Sequence, residues 1–159
     1  MRKWQIFVLL VGGILILDQS TKLWVYTTFE LHESRPIASH FFHLTYVQNP
    51  GAAFGLLSHL PETFRRFFFP TVTVLAVCAL LIYFALTPRQ RLGTLLGTCC
   101  VIGGAIGNGI DRLWLGNVID FLDAHWYAYH WPAFNLADSA ICIGVGLLLI
   151  DSFRRPAQP

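Results

Sequence analysis

Four long apolar runs, at about residues 4–29, 67–86, 92–113 and 134–153, dominate the pattern of this chain. Each approaches or exceeds the ~20 residues that an α-helix needs to cross a hydrocarbon core ~30 Å thick. The sequence therefore predicts four membrane-spanning helices. The first run has a second reading, because Met1-Arg2-Lys3 followed by apolar Trp4–Leu17 also fits a cleavable secretory signal. No small-x-small cleavage site follows it, however. The run passes straight into Asp18-Gln19-Ser20-Thr21-Lys22 and then Leu23-Trp24-Val25-Tyr26, which favours an uncleaved helix with a polar second half.

The polar stretches between the runs differ in length. His40-Phe41-Phe42-His43-Leu44-Thr45-Tyr46-Val47 is rich in aromatic and β-favouring residues, predicting a short sheet or cradle at the membrane surface. Asn49-Pro50-Gly51 ends it with turn chemistry. In the second region, about Trp114 to Ala133, residues Asp120–Tyr129 predict a short interfacial helix with Trp126, Tyr127 and Trp131 at headgroup depth. The expected fold is an all-α membrane protein: four transmembrane helices, a small outward-facing β-rich cradle and a short interfacial helix. All 159 residues then form one integral membrane domain, without internal repeats or low-complexity segments.

Composition agrees with lipid as the main solvent. Hydrophobic residues make up 55% of the chain and charged residues only 13%, with a mean hydropathy of +0.55. A soluble domain carries roughly 25% charged residues. The net charge of +2 and the absence of a basic stripe argue against nucleic acid as a partner. Arg2 and Lys3, Arg89 and Arg91, and Arg154 and Arg155 fall on one side if the chain crosses four times, so both termini are expected in the cytoplasm. Arg65 and Arg66 lie at the other face and weaken that bias without reversing it. Cys78, Cys99, Cys100 and Cys142 sit inside apolar runs and read as small apolar fillers.

Ionisable groups in a span need a functional or pairing explanation. Asp18, ~21 Å along its helix from Trp4, lies in the outer half of the first span. Asn108, Asp111 and Arg112 close the third span at the same face, Asn135 and Asp138 open the fourth, and Asp120 lies in the connection between them. Residues 108, 111 and 112 share a helix face, as do 135 and 138, with Pro132 placed to start the fourth helix. Glycines 93, 97, 103, 104, 107 and 109 let the third helix approach its neighbours closely. Most of the polar residues have a structural reading first. Asp111 pairs with Arg112, Asp18 with Lys22 at i+4, and Asn49, Asn108 and Asn135 satisfy backbone or carboxylate groups. Asp123 reads as solvated, and the six histidines (32, 40, 43, 59, 125 and 130) lie in outer loops without metal-site spacing.

Asp120 and Asp138 have no neighbouring base. Two carboxylates held together share one proton, so one member activates water while the other polarises a carbonyl. Spacing alone leaves this hydrolytic pair and an ion or proton pathway equally open. A carrier or channel subunit built on Asp18, Asp120 and Asp138 is the main rival, although carriers commonly show repeated halves and midplane sites.

Four blocks in order then resemble one family. They are Asp18-Gln19-Ser20-Thr21-Lys22, Asn49-Pro50-Gly51-Ala52-Ala53-Phe54-Gly55, Gly107-Asn108-Gly109-Ile110-Asp111-Arg112 with Gly116-Asn117-Val118-Ile119-Asp120-Phe121, and Pro132-Ala133-Phe134-Asn135-Leu136-Ala137-Asp138-Ser139. Together they resemble the lipoprotein signal peptidases (signal peptidase II), membrane aspartic proteases of the bacterial inner membrane. Gly109 departs from the larger apolar residue expected there. The resemblance implies removal of the signal peptide from diacylglyceryl-modified prolipoproteins, just before the lipidated cysteine, with neither metal nor cofactor. It implies Asp120 and Asp138 as catalytic aspartates. Asp18, Lys22, Asn49, Gly51, Asn108, Asp111, Arg112 and Asn135 are the expected supporting or substrate-contacting positions. Diacylated prolipoproteins, membrane lipid and globomycin-type cyclic peptide inhibitors are the implied partners.

Overall fold

The computed structural model describes residues 3–38 and 40–153. Four helices, α1 (Lys3–Thr28), α2 (Glu62–Leu86), α3 (Leu92–Trp114) and α4 (Leu136–Phe153), are each long and apolar enough to cross a membrane. Between α1 and α2 lie strands β1 (Ser34–Ala38) and β2 (Phe42–Asn49), and between α3 and α4 lie β3 (Val118–Trp126) and β4 (Tyr129–His130). The strands pair in chain order, all antiparallel. Because β2 pairs with β3, the C-terminal ends of α1 and α3 and the N-terminal ends of α2 and α4 meet at the sheet. Lys3 marks the opposite end, where its ammonium bonds to the Ala85 and Thr87 carbonyls that close α2. Arg89 and Arg91 lie in the α2–α3 link at that same end, while Arg2, Arg154 and Arg155 lie outside the described residues.

Helix α3 is the centre of the bundle and, among the described residues, the one helix whose span is mostly buried. The others expose leucines 9, 17, 75 and 86 and Phe153 on their outer faces, a surface suited to lipid rather than water. The glycines of α3 explain its position. A Cβ on Gly104 would collide with the Ala137 carbonyl of α4, and a Cβ on Gly97 would stand 2.8 Å from the Gly144 carbonyl. Gly109 has a similar reason: a Cβ there would reach 3.0 Å from Thr73 of α2. Val11, Phe84, Leu95, Cys99 and Ile102 form a core among α1, α2 and α3. A second core, of Val25, Phe29, Tyr46, Ile119 and Phe121, packs the sheet onto the end of α1. Cys99 and Cys100 are buried, whereas Cys78 and Cys142 occupy exposed helix faces.

Several expectations need correction. The segment expected as an interfacial helix is strand β3, followed by a tight turn into β4. Val118, Ile119 and Phe121 favour a strand, and β2 supplies the partner whose backbone satisfies it. Helix α2 begins five residues before the expected Phe67, after Pro61 and with Glu62 in its first turn. Pro132 does not start α4. Phe134 is still bridged to Leu122 of β3, and α4 begins only after Asn135 caps it. His43, His125 and His130 belong to strands rather than loops, and Asp123 accepts a bond from His130.

Close packing at the glycine seam is testable. Gly104→Ala should cost about 1–3 kcal/mol through forced separation of α3 from α4. Thermal unfolding in detergent should register a lower midpoint, and an unchanged midpoint would show that the seam is loose.

Candidate functional site

The polar residues converge at the sheet end of the bundle, built up from one buried cation. Lys22 of α1 is 2.9 Å from Asp18 Oδ2 and 2.9 Å from Asp111 Oδ2, and it donates to Asn108 Oδ1 at 2.9 Å. All four side chains are buried. Burying an ammonium or a carboxylate alone would be prohibitive, and this arrangement gives every charge an opposite partner or a dipole. Both carboxylates also accept backbone amides. Asp18 Oδ1 accepts the Ala137 amide of α4 at 2.9 Å, and Asp111 Oδ2 accepts the Ile119 amide of β3 at 3.1 Å. Gln19 donates to Asp18, Asp111 and the Gly107 carbonyl. Gly107 must be glycine for this contact, since a Cβ there would lie 2.6 Å from Asp18 Oδ2.

The expected Asp111–Arg112 pair does not form. Adjacent residues on a helix point ~100° apart, so Asp111 turns inward to Lys22 and Arg112 turns toward the Asn49–Gly51 turn. There the Arg112 guanidinium donates to the Gly51 carbonyl at 3.0 Å and lies 4.9 Å from the centre of the Phe69 ring. The turn is held tightly. Asn49 Oδ1 accepts the Gly51 amide at 2.9 Å, and a Cβ on Gly51 would meet the Leu56 carbonyl at 2.5 Å.

Asp120 and Asp138 stand on opposite sides of two asparagines. Asp120 Oδ1 accepts from Asn135 Nδ2 at 2.8 Å, and its Oδ2 accepts from Asn49 Nδ2 at 3.0 Å. Asp138 Oδ1 accepts from Asn108 Nδ2 at 2.7 Å. Asn135 Nδ2 also donates to Asn108 Oδ1 at 3.1 Å, so a continuous amide bridge joins one carboxylate to the other. Asn135 and Asp138 cap α4 reciprocally. The Asp138 amide donates to Asn135 Oδ1 at 2.9 Å, and the Asn135 amide donates to Asp138 Oδ2 at 3.2 Å. Asp120 is buried, and Asp138 is partly exposed. Burial, followed by the negative charge of Asp138, pushes the Asp120 carboxyl up to about 7, while the Asn49 and Asn135 bonds pull against that rise. Beside this site, Phe54 and Leu57 hold left-handed backbone angles (φ 58° and 66°), and exposed Phe54 packs edge-on to Trp131.

The structure thus gathers Asp18, Lys22, Asn49, Gly51, Asn108, Asp111, Arg112, Asp120, Asn135 and Asp138 at one end of the bundle. Gln19 and Arg65 were not singled out from sequence. Gln19 stands beside Asp18 in the same polar block, which was the available signal. Arg65 donates to the Pro50 and Leu60 carbonyls at 2.7 and 2.9 Å, securing the turn that presents Asn49. No hydrophobic pattern announces that role.

A family model described as "Signal peptidase (SPase) II" matches residues 10–154. Curated proteins named lipoprotein signal peptidase are similar over almost the whole chain. That of Syntrophus aciditrophicus is 45% identical over 153 residues, 96% of this chain and 95% of the relative. That of Syntrophotalea carbinolica is 47% identical over 152 residues, 96% of this chain and 93% of the relative. A solved structure described as a bacterial membrane enzyme superposes with a TM-score of 0.82 at 33% identity, covering 94% of each chain.

The buried cation makes a direct prediction. Lys22→Met should leave Asp18 and Asp111 unpaired, a loss on the order of 3–5 kcal/mol. The expected result is a poorly folded or thermally weakened protein in detergent, measured by its unfolding midpoint. Wild-type stability in this variant would mean that the network is not what holds α1, α3 and β3 together.

Proposed function

The chain belongs to the signal peptidase II family, and from that membership we propose that it removes the signal peptide from lipoprotein precursors by aspartic chemistry, with Asp120 and Asp138 as the catalytic pair. The observation that carries this reading is the amide bridge through Asn108 and Asn135, which links the two carboxylates side chain to side chain. Asp120, with its carboxyl pushed up to about 7, is the member assigned the proton. Asp138, at the N-terminus of α4 and accepting from Asn108 and the Asn135 amide, is assigned the ionised role.

The reaction follows from those roles. Asp138 takes a proton from a water molecule whose oxygen attacks the scissile carbonyl carbon. Asp120 gives its proton to the carbonyl oxygen, forming a neutral gem-diol. The proton on Asp138 then passes to the departing nitrogen as the C–N bond breaks. A gem-diol hydroxyl returns its proton to Asp120, which restores the starting state. No metal is needed at any step.

The finer reading concerns substrate and placement. In it, the cut falls just before a cysteine carrying a diacylglyceryl group, whose acyl chains stay in lipid beside the exposed helix faces. The sheet and the aromatic residues Phe54, Trp126 and Trp131 face outward and clamp the precursor. The termini lie in the cytoplasm of a bacterial inner-membrane protein, a placement supported by Lys3, Arg89 and Arg91 at the other end. Globomycin-type cyclic peptides occupy the same space and block the pair. A proton-coupled carrier is the weaker reading, since the family's members are named as peptidases.

The test is incubation of the purified protein with a diacylated prolipoprotein and its unlipidated counterpart, following release of the signal peptide. Only the lipidated form should be cut efficiently. Asp120→Asn and Asp138→Asn should each lower kcat by on the order of 10³ or more while leaving the unfolding midpoint close to wild type. Substantial turnover by either variant would remove that residue from the chemistry.

Turnover should also follow a bell-shaped pH profile, because it requires one proton on the pair. Asp120 must be protonated, so activity should fall as pH rises through about 7. Asn49→Ala removes a bond that favours the charged form, and the basic limb should therefore move to higher pH even as kcat drops. A basic limb that stays fixed or moves downward in this variant would assign it to a different group.

A further inference from the structure

The loop between β2 and α2 stands beside the catalytic pair with little apolar packing to hold it there. Residues 50–60 contribute nothing to either hydrophobic core, and Ala53, Phe54, Leu56, Ser58 and His59 are exposed. The backbone is also unfavourably bent, with φ of 58° at Phe54 and 66° at Leu57, angles that bulky side chains rarely adopt. Internal bonds give the loop its shape: the Ala52 amide donates to the Leu56 carbonyl at 2.8 Å, and the Leu60 amide to the Leu57 carbonyl at 3.2 Å. Those bonds do not tie it to the helices. A segment with so few buried contacts depends on polar ties for its position.

Arg65 supplies such a tie from the first turn of α2. Its Nη1 donates to the Pro50 carbonyl at 2.7 Å and its Nε to the Leu60 carbonyl at 2.9 Å, so one guanidinium draws the two ends of the loop together. The neighbouring Arg66 is used differently, in an exposed ion pair with Glu62 at 2.9 Å. A rigid planar fork suits two fixed carbonyls better than a flexible ammonium does. Pro50 follows Asn49, whose Nδ2 donates to Asp120 Oδ2 at 3.0 Å and lies 3.5 Å from the Ala52 carbonyl. The Asn49 amide thus faces the carboxylate on one side and the loop backbone on the other. Where the loop stands decides how firmly that amide engages Asp120.

We propose that Arg65 is a positioning residue for the hydrolytic pair: by pinning Pro50 and Leu60 it holds the Asn49 amide on Asp120, and through that bond it sets the proton affinity of Asp120. The catalytic meaning of this inference rests on the aspartic reading above, while the path from Arg65 to Asp120 does not. Other groups act on the same carboxyl. Burial and then the Asp138 charge raise it, whereas the Asn49 and Asn135 bonds and then Lys22 lower it. Arg112 also interacts with it through charge. Of the two bonds that favour the ionised form, that of Asn135 comes from the start of α4. The Asn49 bond is therefore the one that the loop controls. Removing the Arg65 tie weakens a stabiliser of the charged form, so Asp120 should keep its proton to higher pH.

The experiment uses full-length protein in detergent with ¹³C-carboxyl aspartate, following the Asp120 resonance, assigned by its loss in Asp120→Asn, through a pH titration. The wild-type midpoint should lie at about 7. Arg65→Gln should move it up by about 0.5–1 unit. Arg65→Lys, which keeps the charge without the fork, should move it in the same direction. Asn49→Ala should give a shift at least as large, and adding Arg65→Gln to it should add nothing, because the amide that Arg65 positions is gone. In the peptidase assay the basic limb of kcat/KM should follow the same order. The titration reads Asp120 whether or not lipoproteins are cut, which separates this inference from the peptidase reading. A midpoint unmoved in Arg65→Gln and Arg65→Lys would overturn it, and would leave Arg65 as a staple that affects only the unfolding midpoint. A shift that persists undiminished in the Asn49→Ala background would also overturn it, since direct charge rather than positioning would then be the cause. If Arg65→Gln fails to fold, Arg65→Lys, alone and combined with Asn49→Ala, gives the same two comparisons.

Discussion

One ammonium group holds the functional end of this molecule together. Lys22 projects from α1 into a buried space where Asp18 and Asp111 would otherwise repel each other, and it hands its third bond to Asn108. Without that cation the two carboxylates would be buried with no opposite charge beside them. With it, both carboxylates become fixed acceptors for the backbone of α4 and β3. Electrostatic need and architectural need therefore have the same solution. The cation that neutralises the interior also sets the angle at which Asn108 meets Asp138.

The sheet performs the complementary task outside the helices. Asp120 is not on a helix, so its position depends on the pairing of β3 with β2 and on the turn that closes β2. Asn49 at the end of β2 reaches Asp120 directly, and Arg112 of α3 and Arg65 of α2 hold the backbone around that turn. Two helices thus help to steer a carboxylate that belongs to neither of them. A shift of register between Leu44 and Val47 brings Val47 opposite Asp120.

What sequence made legible follows the strength of its physical signal. Four spans and their approximate ends came from hydropathy, and the clustering of polar residues at one end followed from their positions in those spans. The glycine seam of α3 was readable because small residues in lipid have few other uses. Strand β3 was misread as a helix because a nine-residue segment carries too short a pattern to decide its period. The pairing of Asp111 with Lys22 rather than Arg112 depended on helix rotation against a neighbour 89 positions away. Arg65 looked like a charge that argued against the orientation; the structure gives it two carbonyls to hold. The grouping of His43, His125 and His130 was invisible for a similar reason, since these rings come together only through strand register.

The reciprocal cap between Asn135 and Asp138 has an evolutionary corollary. The same four atoms that begin α4 also orient the partly exposed carboxylate, so a substitution that removes either capping oxygen alters folding and site geometry together. A compound whose contacts were confined to these two capping side chains would leave few escape routes by substitution. Each change that removed a capping oxygen to weaken the compound's grip would also unseat the start of α4.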